Sequence, residues 1–297
     1  MKRSKVLWLV FLLGLSALII LCCVGSILTL GMGTNSLRVS APVSPKGVAL
    51  IEIRGVVTTA SFGVTSRTLV ETLRLADRNP LVRAILLRVN SPGGDVVASD
   101  EVYRALKSLN KPVVAYLEEV ATSGAYYIAC GADKIVAHPA TLTGSIGVIV
   151  EMPNAQKLME KLGVDMVVIK SGPHKDEGSF YRSLTEEERA YWQKLVDRVH
   201  QMFVEVIVKE RGLPEERVKR IADGRIILGE EALKLGLVDE LGSFEDALKL
   251  AGKLGGIEGE PYIIRYRTTP GFLESLFYGV RSFLPLAPSP RLMFIYK

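Results

Sequence analysis

Residues 112–131 read PVVAYLEEVATSGAYYIACG. Pro112 to Tyr116 is a short apolar run with β-branched residues, the pattern of a buried strand, and Gly124 to Gly131 is a small-residue segment that reads as a helix. Ser123 stands at the junction. The start of a helix leaves backbone N–H groups unpaired and carries a partial positive charge, and both favour a developing anion. A serine at this place has two readings. It can cap the helix by accepting from the first turn, or it can be a nucleophile presented by a strand-to-helix turn. The rest of the chain bears on that choice.

Working outward, apolar patterning alternates between periods of two and of 3.6 residues. Val48 to Val57 and Arg83 to Val89 read as strands; Ser66 to Asp77 and Val97 to Leu109 read as helices; Lys134 to Ala137 and Met166 to Ile169 read as further short strands. This βαβ alternation predicts a largely parallel sheet covered by helices. A long helix follows, opened by a Thr185/Glu188 capping box and stopped at Gly212-Leu213-Pro214. Short helices are expected at Glu215 to Ala222 and Glu230 to Leu235, and Ser243 caps a last one through Leu250. The proline-broken apolar tail, Leu276 to Tyr296, fits a surface arm, a partner contact or a disordered end.

The chain has 297 residues, 48% of them hydrophobic, enough for a core without disulfide or metal support. Of the formal charge of +5, Lys2, Arg3 and Lys5 supply +3, because no other charge precedes Arg38. The remainder is nearly balanced, and no basic stripe with interleaved aromatics argues for nucleic acid. Val6 to Ser36 carries no charge at all, a longer run than the ~20 apolar residues that span a bilayer. It also exceeds the ~7–15-residue core of a signal peptide. With the basic cluster in front, it predicts an uncleaved single-pass anchor with a cytoplasmic N-terminus and the rest of the chain on the far side. Cys22 and Cys23 fall inside this run, which leaves Cys130 without an intradomain partner, and no Cys/His cluster has metal-ligand spacing. The expected organisation is tip and anchor at 1–36, linker at 37–46, catalytic domain at 47–255 and C-terminal extension at 256–297.

Three further turns are candidates for chemistry, the first of them equally readable as an ordinary βα turn. Ser91-Pro92-Gly93-Gly94 follows a strand and precedes a helix, where paired glycines let the backbone turn sharply and aim N–H groups outward. It lacks the Gly-Lys-Ser/Thr ending of a phosphate loop. Thr143-Gly144-Ser145-Ile146-Gly147 is a structural turn or a seat for a serine that hydrogen-bonds a catalytic amine. Ser171-Gly172-Pro173-His174-Lys175-Asp176 presents a lysine that is either a solvated charge or a base, with His174 beside it as a second candidate base. A serine triad would also need an orienting acid, and the sequence singles none out.

These segments, with Ala132-Asp133-Lys134-Ile135, Gly229-Glu230-Glu231-Ala232 and Leu235-Gly236-Leu237-Val238-Asp239, resemble the signal peptide peptidase A (protease IV) family of the Clp protease and crotonase superfamily. The resemblance covers nearly the whole chain after the linker and fits the short, single-copy form. It implies a crotonase-like α/β fold with Ser123 as nucleophile, Lys175 as general base and Ser145 as the lysine's hydrogen-bond partner. The N–H groups of Gly94 and Gly124 match the oxyanion hole, with Gly93 a near alternative to Gly94. It further implies a cofactor-free endopeptidase for leftover signal peptides, assembled as a ring-like homo-oligomer. In long members with two tandem copies, serine and lysine come from different halves, so here they would meet between subunits. The chemistry is coherent. A serine hydroxyl needs a base, and burial lowers a lysine from its ordinary pKa of ~10.4 by up to ~3–5 units. Two rival readings are a crotonase-type acyl-CoA enzyme, which an extracytoplasmic domain disfavours, and a non-catalytic membrane scaffold.

Overall fold

The computed structural model describes residues 46–60, 64–268 and 292–295. Chain contacts divide the molecule between Ser44 and Pro45, and everything described belongs to the second unit. The uncharged run at 6–36 and most of the linker lie outside the described residues. Among the described residues no helix is long and apolar enough to cross a membrane.

The centre of the molecule is a sheet built on β1 (Gly47–Arg54), β4 (Val82–Ser91) and β6 (Val113–Thr122), paired in parallel. Each is an almost unbroken apolar run, because helices cover both faces. Alternation along the strands sorts the side chains. Leu50, Leu86 and Val114 point to one face, where α8 (Phe244–Leu254) packs Ala247 and Ala251 against them. Ile51, Leu87 and Ala115 point to the other, under α1 (Ser66–Arg78), α2 (Val96–Lys107) and α3 (Gly124–Ala129). Each fully buried Leu or Ile contributes roughly 1.5–3 kcal/mol relative to exposure.

Local signals place the helices. Thr65 caps α1 by accepting from the Thr68 N–H. The Thr185/Glu188 capping box opens α5 (Glu186–Arg211), and Gly212 closes it at a φ of 63°, where a side chain is strained. Ser243 and Asp246 form a second capping box at α8.

Two features depart from the sequence pattern. Met166 to Ile169 forms no strand; Val167 is 86% and Ile169 98% exposed. An apolar run becomes a strand only where a neighbour completes its ladder, and none lies beside this one among the described residues. Conversely, β12 (Tyr262–Tyr266), in the glycine- and proline-punctuated C-terminal region, pairs in parallel with β1 at the sheet edge. Five short strands form a second sheet, ordered β3 (Val64–Thr65), β2 (Val57–Thr58), β5 (Gly93–Asp95), β13 (Leu292–Ile295) and β9 (Ile149–Val150).

Candidate active site

Strand β6 forks. Val114 to Leu117 pairs with β7 (Lys134–Ala137), whereas Val120 to Thr122 pairs with β8 (Leu142–Gly144). Ser123 leaves the tip of the fork at φ 54°, ψ −119°. It makes no side-chain cap hydrogen bond, so the capping reading fails. Among the described residues only two non-glycine residues have positive φ, Ser123 and Ser145. Such conformations cost on the order of 1–3 kcal/mol and persist where surroundings over-determine them. Here the Ser123 N–H donates to the Gly144 carbonyl at 2.8 Å, and the Ser145 N–H donates to the Arg225 carbonyl at 2.8 Å.

Behind Ser123, every residue of α3 is buried. Tyr126 donates its hydroxyl to the Leu237 carbonyl at 2.7 Å, and Tyr127 donates to Asp100 at 2.9 Å. The Tyr127 ring meets Tyr103 and Phe203 edge-on at 5.4 and 5.1 Å. Burial pushes the Cys130 thiol up to about 12, which makes it inert as a rival nucleophile.

The glycine pair lies against this helix, since α3 packs on β5 and β13. A Cβ on Gly94 would sit 1.8 Å from the Val57 carbonyl oxygen, so only glycine fits. Gly94 lies between Val57 of β2 and Phe294 of β13 in register. Gly93 turns at φ 105°, and its N–H is already given to the Ser91 hydroxyl at 3.1 Å. Strand β13 runs antiparallel to both β5 and β9, so the rim beside Ser123 holds an extended segment between two strands. A cavity of about 390 Å³ opens on the Ser145 side, lined by Ser145, Gly147, Ile149, Asp197, His200 and Asp223.

Gly94, Ser123, Gly124 and Ser145 thus gather on one rim. Lys175 does not join them through any contact among the described residues. It lies exposed on an arm between α4 (Gln156–Leu162) and α5, and between Glu151 and Glu187 only Asp176 is buried. His174 pairs with Glu177 on the arm's surface. Those two and Glu188 bring ligand-type atoms within 4.8 Å of one another, but both Glu188 oxygens are engaged by Arg182, one of them also by the Thr185 N–H.

The sequence reading missed the group that organises this arm. Asp176 accepts from Lys170 at 2.7 Å and from Arg182 at 2.8 Å. Arg182 also grips Glu188 with both terminal nitrogens, at 2.8 and 2.7 Å. The Arg182 and Lys170 hydrogen bonds hold the Asp176 carboxyl well below the usual carboxylate range; Arg182, then the Thr185 N–H, draws Glu188 down to about 2. Glu188 is visible in the sequence through its capping box, but Asp176 and Arg182 follow no recognisable spacing.

With the geometry described, comparison with known proteins identifies the chain's relatives. The profile of peptidase family S49 matches residues 105–258, and that of Clp protease matches residues 49–143. A Synechocystis sp. protein whose name assigns it by inference to the proteases is 43% identical over 215 residues, 72% of this chain and 76% of that one. The serine protease SPPA, chloroplastic, of Arabidopsis thaliana is 32% identical over 76% of this chain and 34% of its own length. Protease 4 of Salmonella typhi is 34% identical over 72% of this chain and 36% of its own. The chain therefore spans about a third of the length of the last two. It belongs to peptidase family S49, serine proteases with a Clp-type, mostly parallel α/β fold.

Proposed function

We propose that this chain is a membrane-anchored serine endopeptidase that uses a Ser123/Lys175 dyad on hydrophobic peptides, cleaved signal peptides among them. The observation that carries the reading is the positive φ that, among the described non-glycine residues, is shared only by Ser123 and Ser145, the two serines assigned to the nucleophile and to the lysine's partner. The Ser123 hydroxyl attacks the scissile carbonyl while the Lys175 amine takes its proton. The N–H groups of Gly94 and Gly124 receive the oxyanion; each aimed donor is worth roughly 10²–10³ in rate. Gly94 is preferred to Gly93 because the Gly93 N–H is committed to Ser91. Lys175 then protonates the leaving amine, and water releases the acyl group from Ser123. Substrate is held as an extended strand in the groove that β13 fills, where main-chain pairing supplies affinity.

Lys175 is exposed in the protomer, so its burial comes from assembly or substrate. The bare apolar arm supports assembly, because exposed apolar surface of this kind marks a contact face. A homo-oligomeric ring covers it, and the uncharged run at 6–36 anchors the ring with the catalytic bodies outside the cytoplasm.

A fluorophosphonate probe tests the reading. It is expected to modify Ser123, with turnover abolished in Ser123→Ala, Lys175→Ala and Lys175→Arg and largely kept in His174→Ala. Arginine fails because it does not deprotonate. Modification elsewhere, or turnover by Ser123→Ala, overturns the assignment.

A further inference from the structure

The arm that carries Lys175 has no apolar interior, yet its shape is defined. The Lys170 ammonium donates to the Pro173 carbonyl at 2.9 Å and to Asp176 at 2.7 Å, closing the loop from both ends. Inside it, the Lys175 N–H donates to the Gly172 carbonyl at 3.3 Å. Asp176 is in turn held by Arg182, and Arg182 by Glu188 in a two-point fork. Forked pairs fix direction as well as distance. Glu188 also accepts the Thr185 N–H at 2.8 Å, which keys the frame to the first turn of α5. That helix runs for 26 residues, and Phe203, Val204 and Ile207 near its other end are buried in the core. A continuous route therefore leads from the core, along roughly 22–29 Å of helix between Phe203–Ile207 and Glu188, through Glu188 and Arg182 to Asp176, one peptide bond from Lys175.

We propose that Asp176, clamped between Lys170 and Arg182 and tied through Arg182 to Glu188, is the positioning residue that sets the Lys175 amine for catalysis. The inference rests on Lys175 being the base. Asp176 neither gives nor takes a proton in the reaction; it acts through the loop it closes. Its two cations and its own burial make it sensitive to change, because removing the carboxylate takes away the acceptor that Lys170 and Arg182 share and opens the loop. Arg182 is equally bound to its fork, since lysine keeps the charge but cannot grip Glu188 and Asp176 together.

The test uses the full chain, a peptide substrate and the native mass of each variant. Asp176→Asn is expected to lower kcat at least tenfold while KM stays within twofold and the assembled mass is unchanged. Arg182→Lys should do the same, and Lys170→Ala, which leaves the Arg182–Glu188 fork intact, should lose less, about threefold. Wild-type kcat in both Asp176→Asn and Arg182→Lys overturns the proposal, and an inactive Lys175→Ala measured alongside shows that the dyad itself stands. An active Lys175→Ala instead sinks the dyad. Loss of assembly with kcat and KM failing together assigns the cluster to the subunit contact and overturns the positioning role. If Asp176→Asn does not fold, assembled Lys170→Ala decides, and an unchanged kcat there is fatal.

Discussion

At the scale of single residues, strain and close approach mark the site more sharply than charge does. Ser123 and Ser145 hold positive φ because neighbouring carbonyls, those of Gly144 and Arg225, fix their N–H groups. Gly94 is fixed by exclusion, since a methyl group there would meet the Val57 carbonyl oxygen at 1.8 Å. Gly94→Ala must shift β2 or β5 and so displace the Gly94 N–H assigned above to the oxyanion. The expected outcome is a loss in kcat of roughly 10²–10³, the value of one aimed oxyanion donor, together with a lower Tm. Steady-state kinetics and a thermal melt check both. Turnover at the wild-type rate would remove Gly94 from the oxyanion hole.

At the scale of elements, two helices do different jobs. The six residues of α3 are wholly buried and serve to hold Ser123 still. Helix α5 is divided: its C-terminal half is in the core, and its N-terminal half overhangs and bears the frame around Lys175. The two helices meet where Phe203 packs edge-on against Tyr127 at 5.1 Å. Phe203 is 0% exposed. Phe203→Ala opens a cavity between α3 and α5, and urea unfolding should show a loss of about 3–5 kcal/mol. A change below about 1 kcal/mol, outside the range for a buried aromatic, would mean that this contact does not join the two elements.

At the scale of the whole molecule, the described body presents a serine rim but leaves the lysine on an uncovered arm. The ring proposed above resolves this by pairing Ser123 of one subunit with Lys175 of its neighbour, a head-to-tail contact that repeats around a closed ring. Complementation tests the pairing. Ser123→Ala and Lys175→Ala proteins are each expected to be inactive, and co-assembled mixtures should regain partial activity, because some interfaces join an intact serine to an intact lysine. Mixed oligomers, verified by mass, that stay inactive at every ratio would place the dyad within one chain.

The sequence by itself determined the elements whose signals are local. Apolar alternation at Val48, Arg83 and Lys134 and the capping residues Thr185 and Ser243 each act over a few residues, and strands and helices appear where they pointed. The glycine and serine motifs also lay in plain view, because their sharp turns demand particular residue types. Only the tertiary structure decided what depends on distant partners. Met166 to Ile169 has strand composition but no neighbouring strand to pair with among the described residues, and Tyr262 to Tyr266 gained a neighbour in β1, more than 200 positions away. The Asp176–Arg182–Glu188 frame was hidden for a related reason. Its members lie six residues apart, a spacing that is not that of side-by-side neighbours on a helix, and they are joined only when the loop folds back on α5, since a salt bridge is set by distance in space.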